Sequence, residues 1–147
     1  MVKVTSRYSA GFTLLELMVA VAVAGILATI ALQAYGSYVV SSKLSESFSM
    51  LSDYRLKMEQ FKQDNRSYAD SLNPNACGVA PPSTNRYFSF GCVIAASGTQ
   101  YTATASNQAG AGLGKAADYS YSIDQDGIQN TPAFAGAPGP AGSWKNK

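Results

Sequence analysis

Histidine is absent from this 147-residue chain, and cysteine occurs only twice. Without imidazole the commonest general base and metal ligand are missing, and Cys77 and Cys92 are too widely spaced and too isolated to suggest a zinc site. No nucleophile and base stand in a recognisable pattern, so an enzyme is the least expected class, and no catalytic residue, metal or cofactor is assigned. Net charge is scarce as well. Lys+Arg 11 stand against Asp+Glu 9, and without Lys3 and Arg7 the two signs balance. Such a balance exerts no general pull on nucleic acid or an anionic surface, which leaves only a local patch to do so.

One stretch is almost empty of charge. Between Arg7 and Lys43 there is no cation, and Glu16 is the one acidic side chain. The run from Phe12 to Gln33 is nearly all apolar, and as a helix it would extend about 33 Å, enough to cross a bilayer. A cleaved secretory signal has an apolar region of only about 7–15 residues, so this longer run is expected to be kept. Lys3 and Arg7 ahead of it hold the N-terminus in the cytoplasm and send the rest across the membrane. In that oxidising setting Cys77 and Cys92 read as one disulfide, closing a loop of about 15 residues for roughly 3 kcal/mol in the chain-entropy account. A plain anchor leaves Glu16 unexplained, because a carboxylate in hydrocarbon costs on the order of 3 kcal/mol. Glu16 needs a partner.

Gly11-Phe12-Thr13-Leu14-Leu15-Glu16-Leu17-Met18-Val19 resembles the prepilin signature of type IV pilins and type II secretion pseudopilins, with glycine, aromatic residue and glutamate at the family's spacing. The resemblance implies cleavage after Gly11 by a membrane-embedded prepilin peptidase and N-methylation of Phe12. It also implies an inner-membrane precursor, an assembly platform in that membrane, and an extracellular filament built of such subunits. Glu16, one helical turn after Phe12, would meet its own or a neighbour's cationic amino terminus and help set axial register. Many type IV pilins carry proline at the place of Gln33, and its absence predicts a straighter segment here, with Gly25 as a weak point of about 1 kcal/mol.

Beyond Tyr38, Leu44, Phe48, Leu51, Tyr54, Met58 and Phe61 recur at steps of three or four, the mark of an amphipathic helix. One helix is therefore expected over about 12–63, its charged positions forming a solvated face. Asn73-Pro74, Gly78 and Pro81-Pro82 mark an irregular connection to about Asn85. Four strands are read at Tyr87 to Ile94, Gln100 to Ala105, Tyr119 to Asp124 and Gly127 to Thr131, with turns at Ser97-Gly98 and Asp126-Gly127. The resulting fold is α+β, a type IV pilin fold with a small antiparallel sheet on one long helix. It divides into a leader (1–11), a transmembrane or filament-core half (12–34) and a head (35–147). Pro132 to Gly142, rich in Ala, Gly and Pro, reads as an extended tail outside the core.

Function then reads as a structural pilus subunit for adhesion, motility or DNA uptake. The cysteine pair joins the middle loop to the first strand, unlike a common pilin arrangement near the C-terminus, which favours a minor or competence-type subunit. Two alternatives accompany it: a DNA-binding competence pilin, and a type II secretion pseudopilin, whose acidic ligands would have to come from Asp118, Asp124 and Asp126. Arg86, Lys115, Trp144, Lys145 and Lys147 are the candidate DNA contacts, the tryptophan through stacking and the cations through phosphate. Trp144 reads more readily as a pin that holds the tail to the sheet.

Overall fold

The computed structural model describes residues 12–147, and the side chains of all of these except Gln33 and Ala96. One helix, α1 (Leu14–Asn65), precedes five strands: β1 (Phe88–Ala95), β2 (Gln100–Asn107), β3 (Ser120–Asp124), β4 (Gln129–Phe134) and β5 (Ala137–Pro138). The chain forms two compact units, divided between Tyr38 and Val39.

In the first unit α1 has no apolar partner among the described residues. Leu14, Leu15, Leu27 and Ile30 are 76%, 74%, 61% and 65% exposed, and apolar side chains point outward on every side. Its hydroxyls bond to their own helix: Thr29 Oγ1 donates to the Ile26 carbonyl at 2.7 Å and Ser37 Oγ to Ala34 at 2.9 Å. Those two side chains therefore bring no unmet hydroxyl into lipid. By length and composition the helix can cross a membrane. It is helical without interruption through Gly25 and Gln33.

In the second unit the remainder of α1 packs by one face. Leu44, Ser47, Leu51, Tyr54 and Met58 are buried at helical spacing, with Phe48 packed beside them. Arg66, with φ of 59°, takes the left-handed conformation that ends the helix, its N–H donating to the Lys62 carbonyl at 2.7 Å. All strands pair antiparallel in the order β1-β2-β3-β4-β5, a meander in which every neighbour in sequence is a neighbour in space. Phe88, Tyr101, Ala103, Ala105, Tyr121 and Ile123 share the core with the helix face. The opposite face of the sheet is polar and small, as in the cross-strand rows Ser89–Ser106–Ser120 and Gly91–Thr104–Ser122.

The α+β architecture, the long helix and the first three strands meet the expectation. The C-terminal part corrects it. The fourth strand runs to Phe134, and an exposed fifth strand pairs with it inside the segment read as an extended tail, which stays outside the buried core but belongs to the sheet. Ala135 (φ 53°) and Gly136 (φ 76°) form the two-residue turn between them, with left-handed backbone at both positions, and the Gly136 N–H donates to the Asp118 carbonyl at 2.9 Å. An Ala-Gly turn lacks the usual Asn or Asp at its first position, so it leaves no signal in the sequence. Pro132 is accommodated where the β3–β4 register shifts.

Beyond β5 the chain is tied to the domain through Thr131, which is 1% exposed. The Thr131 N–H donates to the Pro140 carbonyl (2.9 Å), its Oγ1 donates to the Ser143 carbonyl (2.9 Å), and the Lys145 N–H donates to that Oγ1 (2.9 Å). Trp144 stacks on Phe48 with ring centroids 4.9 Å apart, and its Nε1 donates to the Ser122 carbonyl at 2.9 Å. Tyr121 Oη donates to the Lys145 carbonyl at 3.0 Å. The C-terminus is thus a strap across the sheet onto the helix.

Trp144→Ala should cost the head about 2–3 kcal/mol by lost packing against Phe48, and Trp144→Phe, which keeps the stack but loses the indole donor, about 1 kcal/mol; denaturant unfolding followed by circular dichroism measures both. Burial raises Tyr54 to about 12 and pushes Tyr101 and Tyr121 up as well. A raised acid is neutral in the folded state while the unfolded state ionises first, so this stability is complete below about pH 10 and is lost as pH climbs through about 12. Tyrosinate absorbance should show these three rings ionising together with unfolding rather than before it.

Candidate functional site

At the N-terminal end Phe12 and Thr13 lie outside the helix, which begins at Leu14. Thr13 Oγ1 accepts the Glu16 N–H at 3.2 Å, and the Thr13 carbonyl accepts the Leu17 N–H at 3.2 Å. Thr13 is therefore the N-cap and Glu16 the third helical residue, the two side-chain types of a capping box. The carboxylate sits in the first turn, where the helix dipole favours a negative charge. Among the described residues it has no hydrogen-bond or ionic partner. Gly11, the residue before the expected cut, lies outside the described residues, as does the rest of the 1–11 leader.

In the head the structure treats the candidate cations differently from one another. The Arg86 guanidinium carbon lies 5.9 Å from the Tyr87 ring centroid, and Lys43 Nζ lies 5.1 Å from the same centroid. Lys43 also donates to the Ala111 carbonyl at 2.9 Å, which fixes its ammonium against the β2–β3 loop, residues 108–119. Lys115 belongs to that loop; its N–H donates to Asp118 Oδ2 at 2.7 Å, and its carbonyl accepts Asn107 Nδ2 at 2.8 Å. Lys43, Arg86, Tyr87 and the loop that carries Lys115 thus meet at one end of the domain. Among the described residues the only ion pair is Lys57–Asp53, so these three cations are not neutralised by a carboxylate.

Lys145 Nζ sits over the Phe134 ring at 4.5 Å, and Lys147 at the terminus is exposed. Trp144 spends one ring face on Phe48 and its donor on Ser122. Helix periodicity by itself assigns Lys43 to the solvated face of α1. Nothing local in the sequence signals its contact with Tyr87 and Ala111, more than forty residues away, because periodicity reports only which face is apolar.

At the other end of the domain Cys77 and Cys92 are bonded, with Cα atoms 6.2 Å apart, and tie the 66–87 connection to β1. An antiparallel bridge between Ala69 and Cys77 and an Asp70 side chain that accepts the Leu72 N–H at 2.9 Å shape the loop. Gly78 lies directly against the Phe61 ring, where any Cβ would collide. The three aspartates considered for metal binding hold loops instead. Asp118 accepts from Lys115, Asp124 Oδ1 accepts the N–H groups of Asp126 and Ile128 at 3.0 and 2.9 Å, and Asp126 accepts from Gln125.

Comparison with known proteins finds two matching family models. Residues 34–126 match the family described as "Type IV minor pilin ComP, DNA uptake sequence receptor", and residues 6–32 the "Prokaryotic N-terminal methylation motif". Among curated proteins the chain is 41% identical over 69 residues to a fimbrial protein of Moraxella nonliquefaciens, covering 47% of this chain and 45% of that one. It is 38% identical over 96 residues to fimbrial protein EcpC of Eikenella corrodens (65% and 60%), and 39% identical over 72 residues to a probable minor fimbrial protein of Dichelobacter nodosus (46% and 45%). The matches thus span about half the length of these relatives. No solved structure matches.

Proposed function

The chain belongs to the type IV pilins, in the minor-pilin family matched over residues 34–126, and from that membership we propose that it is a structural subunit of a type IV pilus, without enzymatic activity. The precursor enters the inner membrane with Lys3 and Arg7 on the cytoplasmic side, is cut between Gly11 and Phe12 by prepilin peptidase, and is methylated on the new amino group of Phe12. The assembly platform then moves it from the bilayer into an extracellular filament with other pilin subunits.

The observation that carries this reading is the uncovered apolar surface of α1 from Leu14 to Leu32, with a single carboxylate, Glu16, in its first turn. Water tolerates no such surface; lipid covers it first, and the helices of neighbouring subunits cover it next. Cutting before Phe12 would place a cationic amine beside the positive end of the helix dipole, and Glu16 offsets both. In an apolar bundle that one ionic pairing discriminates axial registers, since any other register leaves the carboxylate alone in a low dielectric. Glu16→Val should therefore reduce filament incorporation by at least about tenfold while membrane insertion is retained, with processing, insertion and incorporation assayed separately. Normal incorporation would sink the register role, and a mature protein that still begins at Met1 would sink the processing.

A second activity is supported by the description of the matched family as a DNA uptake sequence receptor. In this reading the head binds DNA through Lys43, Arg86 and Lys115, whose cations meet phosphates, with the Tyr87 ring near the first two. Lys145 and Lys147 supply further charge from the C-terminal strap. Trp144 acts in packing and leaves the contact set. Replacing Lys43, Arg86 or Lys115 singly by Gln should weaken DNA binding and lower the slope of log affinity against log salt by about one per removed phosphate contact. Trp144→Phe should leave that slope unchanged. An undiminished slope in the triple variant would remove this surface.

A further inference from the structure

We infer that Thr13 is a positioning residue for leader removal: by capping α1 at Leu14 it keeps Phe12, the residue that follows the scissile bond, outside the helix. The inference rests on the reading that the leader is cut at that bond. Hydrolysis there adds water across the amide, leaving a carboxylate on Gly11 and an amine on Phe12, and Thr13 takes no part in making or breaking bonds.

Three features carry it. Thr13 Oγ1 accepts the Glu16 N–H at 3.2 Å, and Phe12 and Thr13 themselves lie outside the helix. No proline or other strong stop precedes Leu14, since Gly11 is only a mild helix breaker. Leu14, Leu15, Glu16, Leu17 and Met18 are all good helix formers, so without a cap the helix is free to grow backwards through Thr13 and Phe12. Position in the membrane sharpens the effect, because an orphan N–H in the first turn has little water to turn to.

A protease needs the backbone on both sides of the scissile bond free to pair with its own groups, as in the extended mode of peptide recognition. A helical Phe12 would have part of that backbone already committed. Glu16 completes the device: as the third residue of the helix it carries the acidic side chain that favours a start at this point. The same glutamate thus acts before cleavage in locating the helix start and after cleavage as the partner of the amine.

The test uses the full-length chain in lipid–detergent micelles with a prepilin peptidase, the product being identified by mass and the kinetics taken as kcat and KM separately. Thr13→Val keeps the shape and removes the acceptor; Thr13→Ser and Thr13→Asn restore one. The Val variant should be cut about fivefold more slowly, with new protection of the Leu15 amide in hydrogen exchange as it pairs four residues back, while Ser and Asn should stay within about twofold of the parent, as their similar capping ranks predict. Equal rates for Val and the parent would overturn the inference and leave the cleavage reading standing. Ser and Asn variants as slow as Val would also overturn it, since the peptidase would then be reading threonine itself. A parent chain that is not cut between Gly11 and Phe12 would remove the cleavage reading and this inference together.

Discussion

From Leu14 to Leu32 the helix α1 is apolar on every side and nothing among the described residues covers it. The hydrophobic effect will not leave that surface in water, and the fold offers no internal remedy. Everything else about the molecule accommodates this. The segment satisfies its own hydroxyls at Thr29 and Ser37, so that either lipid or a neighbour's helix can serve as its surroundings. Its one charge sits in the first turn, where the helix itself provides compensation.

Because that part contributes nothing to a core, the head has to be stable on what remains. It is a small domain, and a small domain buries a lower share of its surface than a large one. Two ties supplement the core, one at each end. The Cys77–Cys92 bond secures the long connection to β1, and the strap through Thr131 and Trp144 secures the C-terminus across the sheet. Between them the aromatic contacts Phe48–Tyr121 and Tyr68–Tyr101, with centroids 4.7 and 4.8 Å apart, join helix and loop to sheet. Stability gathered in this way leaves the polar outer face of the sheet and the Lys43–Tyr87–Arg86 cluster available for contacts outside the chain.

Some of this was legible without coordinates because it is local. Helix periodicity from Leu44 to Phe61 exposes its own pattern, and the alternation of Phe88, Phe90, Cys92 and Ile94 shows which face of the first strand turns inward. Strands three and four announced themselves through Asp126-Gly127, a turn whose chemistry is written in two residues. The Pro132 to Gly142 segment misled because composition was the only signal there. Its Ala and Gly content says that the residues are small, not that Ala135 and Gly136 turn the chain back or that Thr131 has three bonds to offer.

What the sequence determined by itself was a linear property: a long apolar run with one acid at a set distance from a glycine and an aromatic residue, then an amphipathic continuation and short strands. Those arise from spacing along the chain, which helix and strand geometry convert directly into faces. Tertiary structure alone decided which distant residues meet. Lys43 reaches Ala111 and Tyr87, Trp144 reaches Phe48, and the C-terminus straps across the sheet against the core, because such meetings depend on how the whole sheet lies on the helix, and no local spacing encodes that.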